Sequence, residues 1–200
     1  MSANNGTKYP IKYLKIFCLL LIIPSVVYAN HAKKSHWPSR FDPYFKKYAK
    51  YYFGPNFDWR WFKAQGIAES GLQPKAKSVV GAKGIMQIMP ATFAEIKNKN
   101  RRFASVNTPR WNIAAGIYYD KQLYKRWKVK LKRKEKLTYT FASYNAGYGN
   151  IHKALNQLNR KLKRDKEAPL TWQEIKKYAP KETRNYIKRI KKFKKDIAYH

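Results

Sequence analysis

Residues 69–92, ESGLQPKAKSVVGAKGIMQIMPAT, connect two predicted helices and set the pattern for the rest of the chain. The helix before this segment is predicted to stop at Gly71, because glycine readily takes the left-handed conformation that ends helices. Residues 71–88 are rich in turn formers and predict a loop with a small hairpin. The next helix opens at Pro90, since proline suits the first helical turn. One carboxyl, Glu69, therefore lies at the corner where the first helix ends.

Outward from this segment, the spacing of apolar residues predicts helices on both sides. Capping residues, prolines and glycines delimit the helices at about residues 43–53, 58–70, 89–97, 108–127, 137–145, 150–158 and 181–197. The basic stretches 128–134 and 159–170 separate helices, and Thr171–Glu174 is a predicted capping box. The fold class predicted from these elements is mainly α.

The last predicted helix carries an apolar stripe on one side and basic residues elsewhere. The stripe consists of Tyr186, Ile187, Ile190, Phe193 and Ile197. Two interpretations stay open for this pattern. The helix is either a core helix with a charged outer face or a helix that lies on a membrane surface.

The composition is strongly basic. The 200 residues include 44 Lys and Arg but only 11 Asp and Glu, for a formal net charge of +33. A hydrophobic fraction of 44% excludes a disordered polycation. A single cysteine, Cys18, excludes a disulfide scaffold and metal sites built on several thiolates. The charge attracts polyanions, so the candidate partners are nucleic acid, anionic lipid and acidic cell-wall polymer; the alternative is a solvated surface without a dedicated partner.

Residues 1–29 are predicted to be a secretory signal peptide. Lysines precede the apolar run Ile16–Ile23, and Val27-Tyr28-Ala29 suits a cut after Ala29. The run is shorter than the roughly 20 residues that span a membrane, and an uncleaved inner-membrane anchor is the alternative. An exported protein meets wall polymer rather than nucleic acid. The sequence therefore predicts the periplasm or cell envelope of a bacterium.

Most of the carboxylates have an ordinary structural explanation. Asp42 and Asp58 are predicted helix N-caps, and Glu174 belongs to the capping box. Glu95 lies on a polar helix face. Five others stand among Lys and Arg, the usual setting of exposed ion pairs: Asp120, Glu135, Asp165, Glu167 and Asp196.

Two carboxyls remain, Glu69 and Glu182, and Glu69 is the stronger candidate for chemistry. It follows the mostly apolar segment 59–68, and it lies in the last turn of its helix. Partial burial and the negative end of the helix dipole both disfavour an anion there, so the pKa of Glu69 is predicted to rise. A carboxyl that stays protonated near neutrality can act as a general acid. The alternative is a helix-end Glu that bonds a nearby Lys.

Several motifs follow one another in a specific order. Glu69–Leu72, Ala76–Ser78 and Gly81–Thr92 come first, then Ser143–Gly149 (SYNAGYG) and Glu182–Ile187 (ETRNYI). They resemble the catalytic segment, the Ala-Tyr-Asn-Ala-Gly motif and the C-terminal Glu-Thr-x-x-Tyr-Val motif of the soluble lytic transglycosylase (SLT) family. The resemblance covers about residues 57–195, with mild departures at Ile85, Ser143 and Ile187.

The resemblance implies a lysozyme-like, goose-type helical domain and a peptidoglycan-cleaving lyase. Glycosidases usually use two carboxyl groups, whereas the family uses one Glu. Glu69 is thus expected to protonate the β-1,4 glycosidic oxygen between N-acetylmuramic acid and N-acetylglucosamine. It would then accept the proton of the muramyl 6-hydroxyl, which gives a 1,6-anhydromuramyl product. The resemblance implies neither a metal nor a cofactor.

The resemblance also implies substrate-binding residues around Glu69. Ser78 is expected to form a hydrogen bond near Glu69 or the sugar N-acetyl group, and Gln87 and Met89 to line the sugar cleft. Tyr144 is expected to orient Glu69. For Met89 the alternative is a core residue.

Three further residues complete this expected set. Asn145 would shape the cleft at a helix end, and Glu182 and Tyr186 would close its other side. Their alternatives are a helix cap for Asn145, an ion pair with Arg184 or Lys188 for Glu182, and the apolar stripe for Tyr186.

The predicted organisation is a signal peptide at 1–29, a helical extension at 30–56 and a catalytic domain at 57–200. The expected partners are peptidoglycan glycan strands and an anionic wall or membrane surface. Three other functions stay open: a goose-type hydrolytic muramidase, a non-enzymatic wall-binding or secretion-scaffold module, and a basic nucleic-acid or membrane binder.

Overall fold

Helices dominate the computed structural model, which describes residues 37–128, 131–165 and 171–198. In chain order the elements are α1 (Asp42–Phe53), α2 (Arg60–Ser70), α3 (Pro90–Lys99), α4 (Pro109–Arg126), α5 (Arg133–Ala146), α6 (Tyr148–Lys161), α7 (Trp172–Ile175), a 3₁₀ turn (Lys176–Tyr178) and α8 (Lys181–Ala198). Within these ranges, β pairing is limited to isolated bridges in the loop between α2 and α3. The mainly α fold class is confirmed. The predicted signal peptide lies outside the described residues.

Local sequence signals set most helix ends where they were predicted. Gly71 ends α2 in the left-handed conformation, with φ of 64°, and its N–H donates to the carbonyl of Ile67 at 2.9 Å. Pro90 and Pro109 are the first residues of α3 and α4. The capping box at Thr171 makes both of its expected hydrogen bonds. These ends agree with prediction because each depends on neighbours within one turn of helix.

Two helices begin earlier than predicted. α5 starts at Arg133 rather than Leu137, so it takes in the end of the basic stretch 128–134. Arg, Lys and Glu favour helix where their side chains reach solvent, and an apolar periodicity does not detect such a turn. α6 starts at Tyr148, directly after Gly147, whose φ of 83° turns the chain away from α5.

The prediction for Asp42 is wrong. The N-cap position of α1 belongs to Phe41, and no side chain caps this helix. Asp42 is instead the first helical residue, and its carboxylate lies 2.6 Å from the ammonium of Lys63 on α2. Because Lys63 is buried, its charge requires this partner, and the ion pair connects the two helices.

One hydrophobic core joins the helices. α2 packs against α8 and α1, α4 packs against α1 and α5, and α5 also packs against α6 and α8. From α1, which falls in the predicted extension 30–56, the core includes Phe45, Tyr48 and Ala49. The helix of this extension therefore shares its core with the helices of the predicted catalytic domain.

The last helix, α8, is a core helix. Tyr186, Ile187 and Ile190 are buried, and the ring of Phe193 packs edge-on against Trp37 at 5.3 Å. Of the two interpretations of its apolar stripe, packing against α2 and α5 is the one that the fold shows. Among the described residues, no helix combines the length and the apolar character needed to cross a membrane.

Candidate active site

The candidate site forms where α2 ends. Residues 62–68 of this helix are all buried, and Glu69 follows them as a half-buried residue. The left-handed turn at Gly71 then leads the chain into the loop before α3. The core thus fixes the helix that carries Glu69, while Glu69 itself remains partly exposed.

Tyr186 of α8 contacts the carboxyl of Glu69 directly. Its hydroxyl donates a hydrogen bond to Oε1 over 2.5 Å, and the tyrosine itself is buried. Tyr186 thus belongs to the apolar stripe and also contacts Glu69, while its predicted role in closing the sugar cleft stays a prediction. Its ring packs in the core, and its hydroxyl reaches the acid.

The pKa of Glu69 is raised to about 7, mainly because burial disfavours the charged carboxylate. The Tyr186 hydrogen bond and the positive charge of Arg189 act in the opposite direction and lower it, while the charge of Glu182 raises it further. The rise agrees with the expectation from the sequence. Near neutral pH, Glu69 therefore exists in both protonation states and can release a proton and take one back.

Arg189 is a site residue that the sequence reasoning missed. It lies on α8, three residues after Tyr186, and its guanidinium donates to the backbone carbonyl of Ala68, directly before Glu69. Arg189 thus anchors the end of α2 and places a positive charge near the carboxyl. One of many Lys and Arg residues on a basic helix, it carries no signal in sequence that distinguishes it from its neighbours.

The prediction that Tyr144 orients Glu69 receives no support from its hydrogen bond. The Tyr144 hydroxyl donates to the carbonyl of Met86 at 2.7 Å, and its ring meets the edge of Tyr119 at 5.4 Å. Tyr144 still lies close enough to Glu69 for the carboxylate charge to raise the pKa of its hydroxyl, after burial. The direct contact that was expected of Tyr144 is made by Tyr186.

Asn112 of α4 holds the loop next to the site. Its Oδ1 accepts the N–H of Met86 at 2.7 Å, and its Nδ2 donates to the carbonyls of Lys83 and Val106 at 2.8 and 3.0 Å. Gly84 makes this approach possible, because a Cβ there would lie 2.4 Å from Asn112 Nδ2. The sequence reasoning missed Asn112, although an amide beside a buried apolar run was an available signal.

Three predicted substrate-binding residues shape the loop itself. The hydroxyl of Ser78 accepts the N–H of Ala82 at 2.9 Å and so closes a turn rather than bonding Glu69. Gln87 has a positive φ of 45°, and its amide donates to the carbonyl of Gly84 at 2.9 Å. Met89 is half-buried at the N-cap of α3. Their predicted sugar contacts stay predictions.

The remaining predicted residues lie where α5 ends and α8 begins. Asn145 Oδ1 accepts the hydroxyl of Thr183 at 2.8 Å, which connects the two helices. Glu182, next to Thr183, is exposed in the first turn of α8 and acts on Glu69 through its charge. The alternative for Glu182 was an ion pair with Arg184 or Lys188; the Arg184 guanidinium donates instead to the carbonyl of Ala179 at 2.7 Å.

The prediction for Asp120 is wrong. It was expected in an exposed ion pair, but its side chain is completely buried and accepts a hydrogen bond from Nε2 of Gln65 at 3.3 Å. The lysines near it in sequence do not reach it, because successive residues of a helix point about 100° apart. Burial and the nearby Glu69 charge raise the pKa of Asp120 well above its ordinary value.

No group of three or more His, Cys, Asp or Glu side chains with the arrangement of a metal site occurs in the part of the chain that the structure describes. Two cavities open elsewhere on the surface. One of about 600 Å³ lies among the ends of α1, α2 and α8, and one of about 450 Å³ lies between α7 and α8. Glu69 lines neither cavity. The candidate site is therefore assigned to the end of α2, where Glu69 is half-buried.

The candidate site is thus one partly buried Glu at a helix end, beside a glycine-rich loop of a helical domain. Residues 43–167 match the family model of the transglycosylase SLT domain. The chain belongs to this family. The match begins within α1 and ends before α8, so the helix that carries Tyr186 lies beyond it.

Curated relatives carry the name membrane-bound lytic murein transglycosylase F. That of Aliivibrio fischeri is 29% identical over 176 residues, which make up 79% of this chain and 33% of the relative. That of Pseudomonas putida is 28% identical over 182 residues, or 90% of this chain and 35% of the relative. The chain thus spans about a third of the length of these relatives.

Solved structures share the fold. The 70 kDa soluble lytic transglycosylase of Escherichia coli matches with a TM-score of 0.63 and 26% identity, over 82% of this chain and 25% of that one. An inactive mutant of the lytic transglycosylase Slt from Pseudomonas aeruginosa matches with a TM-score of 0.62 and 25% identity, over 79% and 24%. These likenesses confirm the predicted lysozyme-like fold.

Proposed function

We propose that this protein is a peptidoglycan lytic transglycosylase. It cleaves the β-1,4 bond between N-acetylmuramic acid and N-acetylglucosamine and leaves a 1,6-anhydromuramyl end. The observation that carries the proposal is the position of Glu69 at the end of a buried helix, bonded to the Tyr186 hydroxyl, where burial raises its pKa to about 7. Such a group gives up a proton in one step and recovers one in the next.

In the first step, protonated Glu69 donates to the glycosidic oxygen as the bond to the muramyl anomeric carbon breaks. The N-acetyl group of the muramyl sugar stabilises the oxocarbenium charge that develops. Glu69 leaves this step as a carboxylate. The Tyr186 hydroxyl, which donates to Oε1, favours the charged form and so stabilises it at this moment.

In the second step, the Glu69 carboxylate accepts the proton of the muramyl 6-hydroxyl. The freed oxygen bonds to the anomeric carbon and closes the anhydro ring. Glu69 is protonated again, so the cycle balances without water. One carboxyl performs both steps because its pKa lies close to neutrality, where neither proton transfer is strongly uphill.

The relatives support this assignment through their printed names. Those matched in sequence are lytic murein transglycosylases, and the solved structures are lytic transglycosylases. A 70 kDa soluble lytic transglycosylase has also been solved in complex with bulgecin A. Carried to this chain, they favour a lyase acting on peptidoglycan over a muramidase that uses water.

Product mass tests the proposal. Purified sacculi are digested with the protein, and the released muropeptides are analysed by mass spectrometry. The expected products carry anhydromuramyl ends and are one water lighter than the products of a hydrolase. Reducing muramyl ends in their place would establish a hydrolytic muramidase, and intact sacculi would leave the wall-binding module as the function.

Glu69→Gln tests the residue, because it removes the acid and keeps the shape. We expect it to abolish release of muropeptides. Glu95→Gln is the matched control, since Glu95 is exposed on α3 and has no part in the mechanism. Cleavage by Glu69→Gln at the rate of the control would exclude Glu69 as the acid.

The residues around Glu69 form the proposed substrate cleft. Gln87 and Met89 present the loop side of the cleft. Asn145 and Glu182 present the opposite side, where α5 and α8 are connected through the Thr183 hydroxyl. Support comes from partial or full exposure of all four side chains, which leaves them accessible to a glycan.

The proposed setting is the cell envelope, specifically the bacterial periplasm. Residues 1–29 would act as the export signal. Residues 30–56 would form an extension of the catalytic domain 57–200. The proposed partners are peptidoglycan strands and the anionic wall or membrane surface. Stem peptides and lactyl groups of peptidoglycan carry carboxylates, and the net charge of +33 favours accumulation on such a polymer. Nucleic acid is not expected as a partner.

A further inference from the structure

A second carboxyl is buried beneath the candidate site. Asp120 lies on α4 with no exposed surface, and the mechanism does not use it. Its Oδ1 accepts from Nε2 of Gln65 at 3.3 Å, and Gln65 is also completely buried. Gln65 lies on α2 four residues before Glu69, one helical turn away and on the same face. Gln65 thus bonds one carboxyl and shares a helix face with the other.

In the described part of the chain, no cation acts on Asp120. Glu69 of α2 is the charged group that acts on it. Three tyrosines respond to its charge in turn: Tyr119 of α4, Tyr144 of α5 and Tyr186 of α8. A buried carboxylate without a positive partner would be very costly in free energy, so this environment selects the neutral acid.

Two acceptor atoms of the pair have no donor. Among the described residues, both Oδ2 of Asp120 and Oε1 of Gln65 are buried without a hydrogen-bond partner. An ionised Asp120 would leave both unsatisfied, which is rare in folded proteins. A proton on the carboxyl turns one of its oxygens into a donor, and the Gln65 amide oxygen is the free acceptor in the same pair.

We propose that Asp120 is a protonated carboxylic acid that forms a reciprocal acid–amide pair with Gln65. This neutral pair holds α2 in position while Glu69 alternates between acid and base. Asp120 is a positioning residue, since it acts through Gln65 and α2 and does not touch the glycan. The part concerning Glu69 rests on the proposed function, whereas the protonation of Asp120 does not.

The neutrality of the pair matters for Glu69. A negative charge on Asp120, which interacts with the charge of Glu69, would oppose ionisation of Glu69 and hold it in the acid form. The second step needs the Glu69 carboxylate as the acceptor of the muramyl 6-hydroxyl proton, and that carboxylate would then be costly to form. A neutral Asp120 leaves Glu69 free to ionise and at the same time satisfies the buried amide.

Aspartate labelled with ¹³C at the carboxyl tests the protonation by NMR. The chain has five aspartates. At pH 7 we expect one carboxyl resonance at the position of an un-ionised acid, present in wild type and in Glu69→Gln and absent from Asp120→Asn. If Asp120→Asn does not fold, single Asn variants of the other four aspartates assign the resonance by elimination. Five resonances that all titrate at or below the ordinary value of about 3.9 would overturn the proposal.

Kinetics test the positioning role. Asp120→Asn keeps a neutral donor toward Gln65, whereas Asp120→Leu leaves the buried amide unpaired. We expect kcat of the Leu variant to be about tenfold below that of the Asn variant, with similar KM. We also expect the alkaline limb of the Asn variant to keep its wild-type position.

Two kinetic outcomes would overturn the positioning role: equal kcat for the two variants, or an alkaline limb in Asp120→Asn that moves to lower pH by half a unit or more. The latter would show that an anion had been removed. Loss of the proposed function is recognised separately, because wild type would then release no muropeptides while the NMR result would still stand.

Discussion

The hydroxyl of Tyr186 donates to Oε1 of Glu69 over 2.5 Å, although 117 residues separate the two in the chain. The contact exists because α8 packs along α2, so that the middle of one helix meets the end of the other. A hydrogen bond to a carboxylate stabilises the charged form. Tyr186 therefore counters the effect of burial and helps to keep the pKa of Glu69 near 7.

Tyr186→Phe is expected to raise the pKa of Glu69, because it removes a hydrogen bond that lowers it and leaves burial unopposed. The alkaline limb of kcat/KM reports the acid of the free enzyme, and it should move up by about one pH unit. At the optimum, kcat should fall about tenfold, since the carboxyl loses a charge-assisted bond of roughly 1.5–3 kcal/mol. Rate profiles across pH measure both effects.

Tyr144→Phe is the matched control. It removes the bond to the Met86 carbonyl, so it should lower the free energy of unfolding by about 1 kcal/mol and leave the alkaline limb in place. If Tyr144→Phe moved the limb and Tyr186→Phe did not, the assignment of the two tyrosines would be reversed.

Stability should depend on pH through Glu69. Below its ordinary pKa of 4.5 the carboxyl is protonated in both the folded and the unfolded protein, so it contributes no pH dependence. Between pH 4.5 and 7 only the unfolded chain ionises freely, which lowers the stability of the fold as pH rises. Glu69→Gln removes this penalty. The difference in free energy of unfolding between the variant and wild type should therefore shift in favour of the variant by about 2–3 kcal/mol from pH 4 to pH 7.5.

Chemical denaturation of wild type and Glu69→Gln at both pH values measures this gain. Glu95→Gln again serves as the control, because Glu95 is exposed on α3. If the free energies of unfolding of wild type and Glu69→Gln differ by the same amount at both pH values, Glu69 ionises normally in the folded protein.

Gly84→Ala should destabilise the loop beside Glu69. The new Cβ would lie 2.4 Å from Nδ2 of Asn112, and the φ of 74° is unfavourable for alanine. We expect a loss of about 2–3 kcal/mol in the free energy of unfolding and reduced activity, because Asn112 also holds the Met86 N–H.

Gly149→Ala is the control for this substitution. Gly149 is exposed in α6, and nothing lies within 4 Å of its added Cβ. Alanine there should be neutral or stabilise by about 0.5–1 kcal/mol, since glycine is a poor helix former. Equal denaturation midpoints for the two variants would contradict the tight fit between Gly84 and Asn112.

Binding to sacculi should weaken steeply with salt. The net charge of +33 attracts an anionic polymer over a distance that shrinks from about 10 Å at 0.1 M salt to about 3 Å at 1 M. Sedimentation of Glu69→Gln with sacculi, which avoids digestion, should show the affinity falling by roughly tenfold or more across that range. Chitin, an uncharged glycan, is the control polymer. A flat salt response on sacculi would remove charge as the cause of binding.

The fold was largely predictable because its helix ends depend on neighbouring residues. Gly71, Pro90 and Pro109 delimit helices through their own backbone preferences, so the turn after Glu69 was visible in the sequence. The start of α5 at Arg133 was not, since solvated charged residues leave no apolar pattern. The family resemblance selected Glu69 among eleven carboxylates, and its position at a helix end gave a physical reason for the choice.

Tertiary packing decided which side chains meet. The Glu69 carboxyl bonds Tyr186 rather than Tyr144, and Arg189 anchors the same helix end, because α8 lies against α2. Asp120 is buried although cations flank it in sequence, because its side of α4 faces the core and theirs does not. A sequence fixes each residue's own preferences for backbone shape and water. Contacts across a hundred residues, and the pKa values that depend on them, arise only when packed helices remove the solvent between those residues.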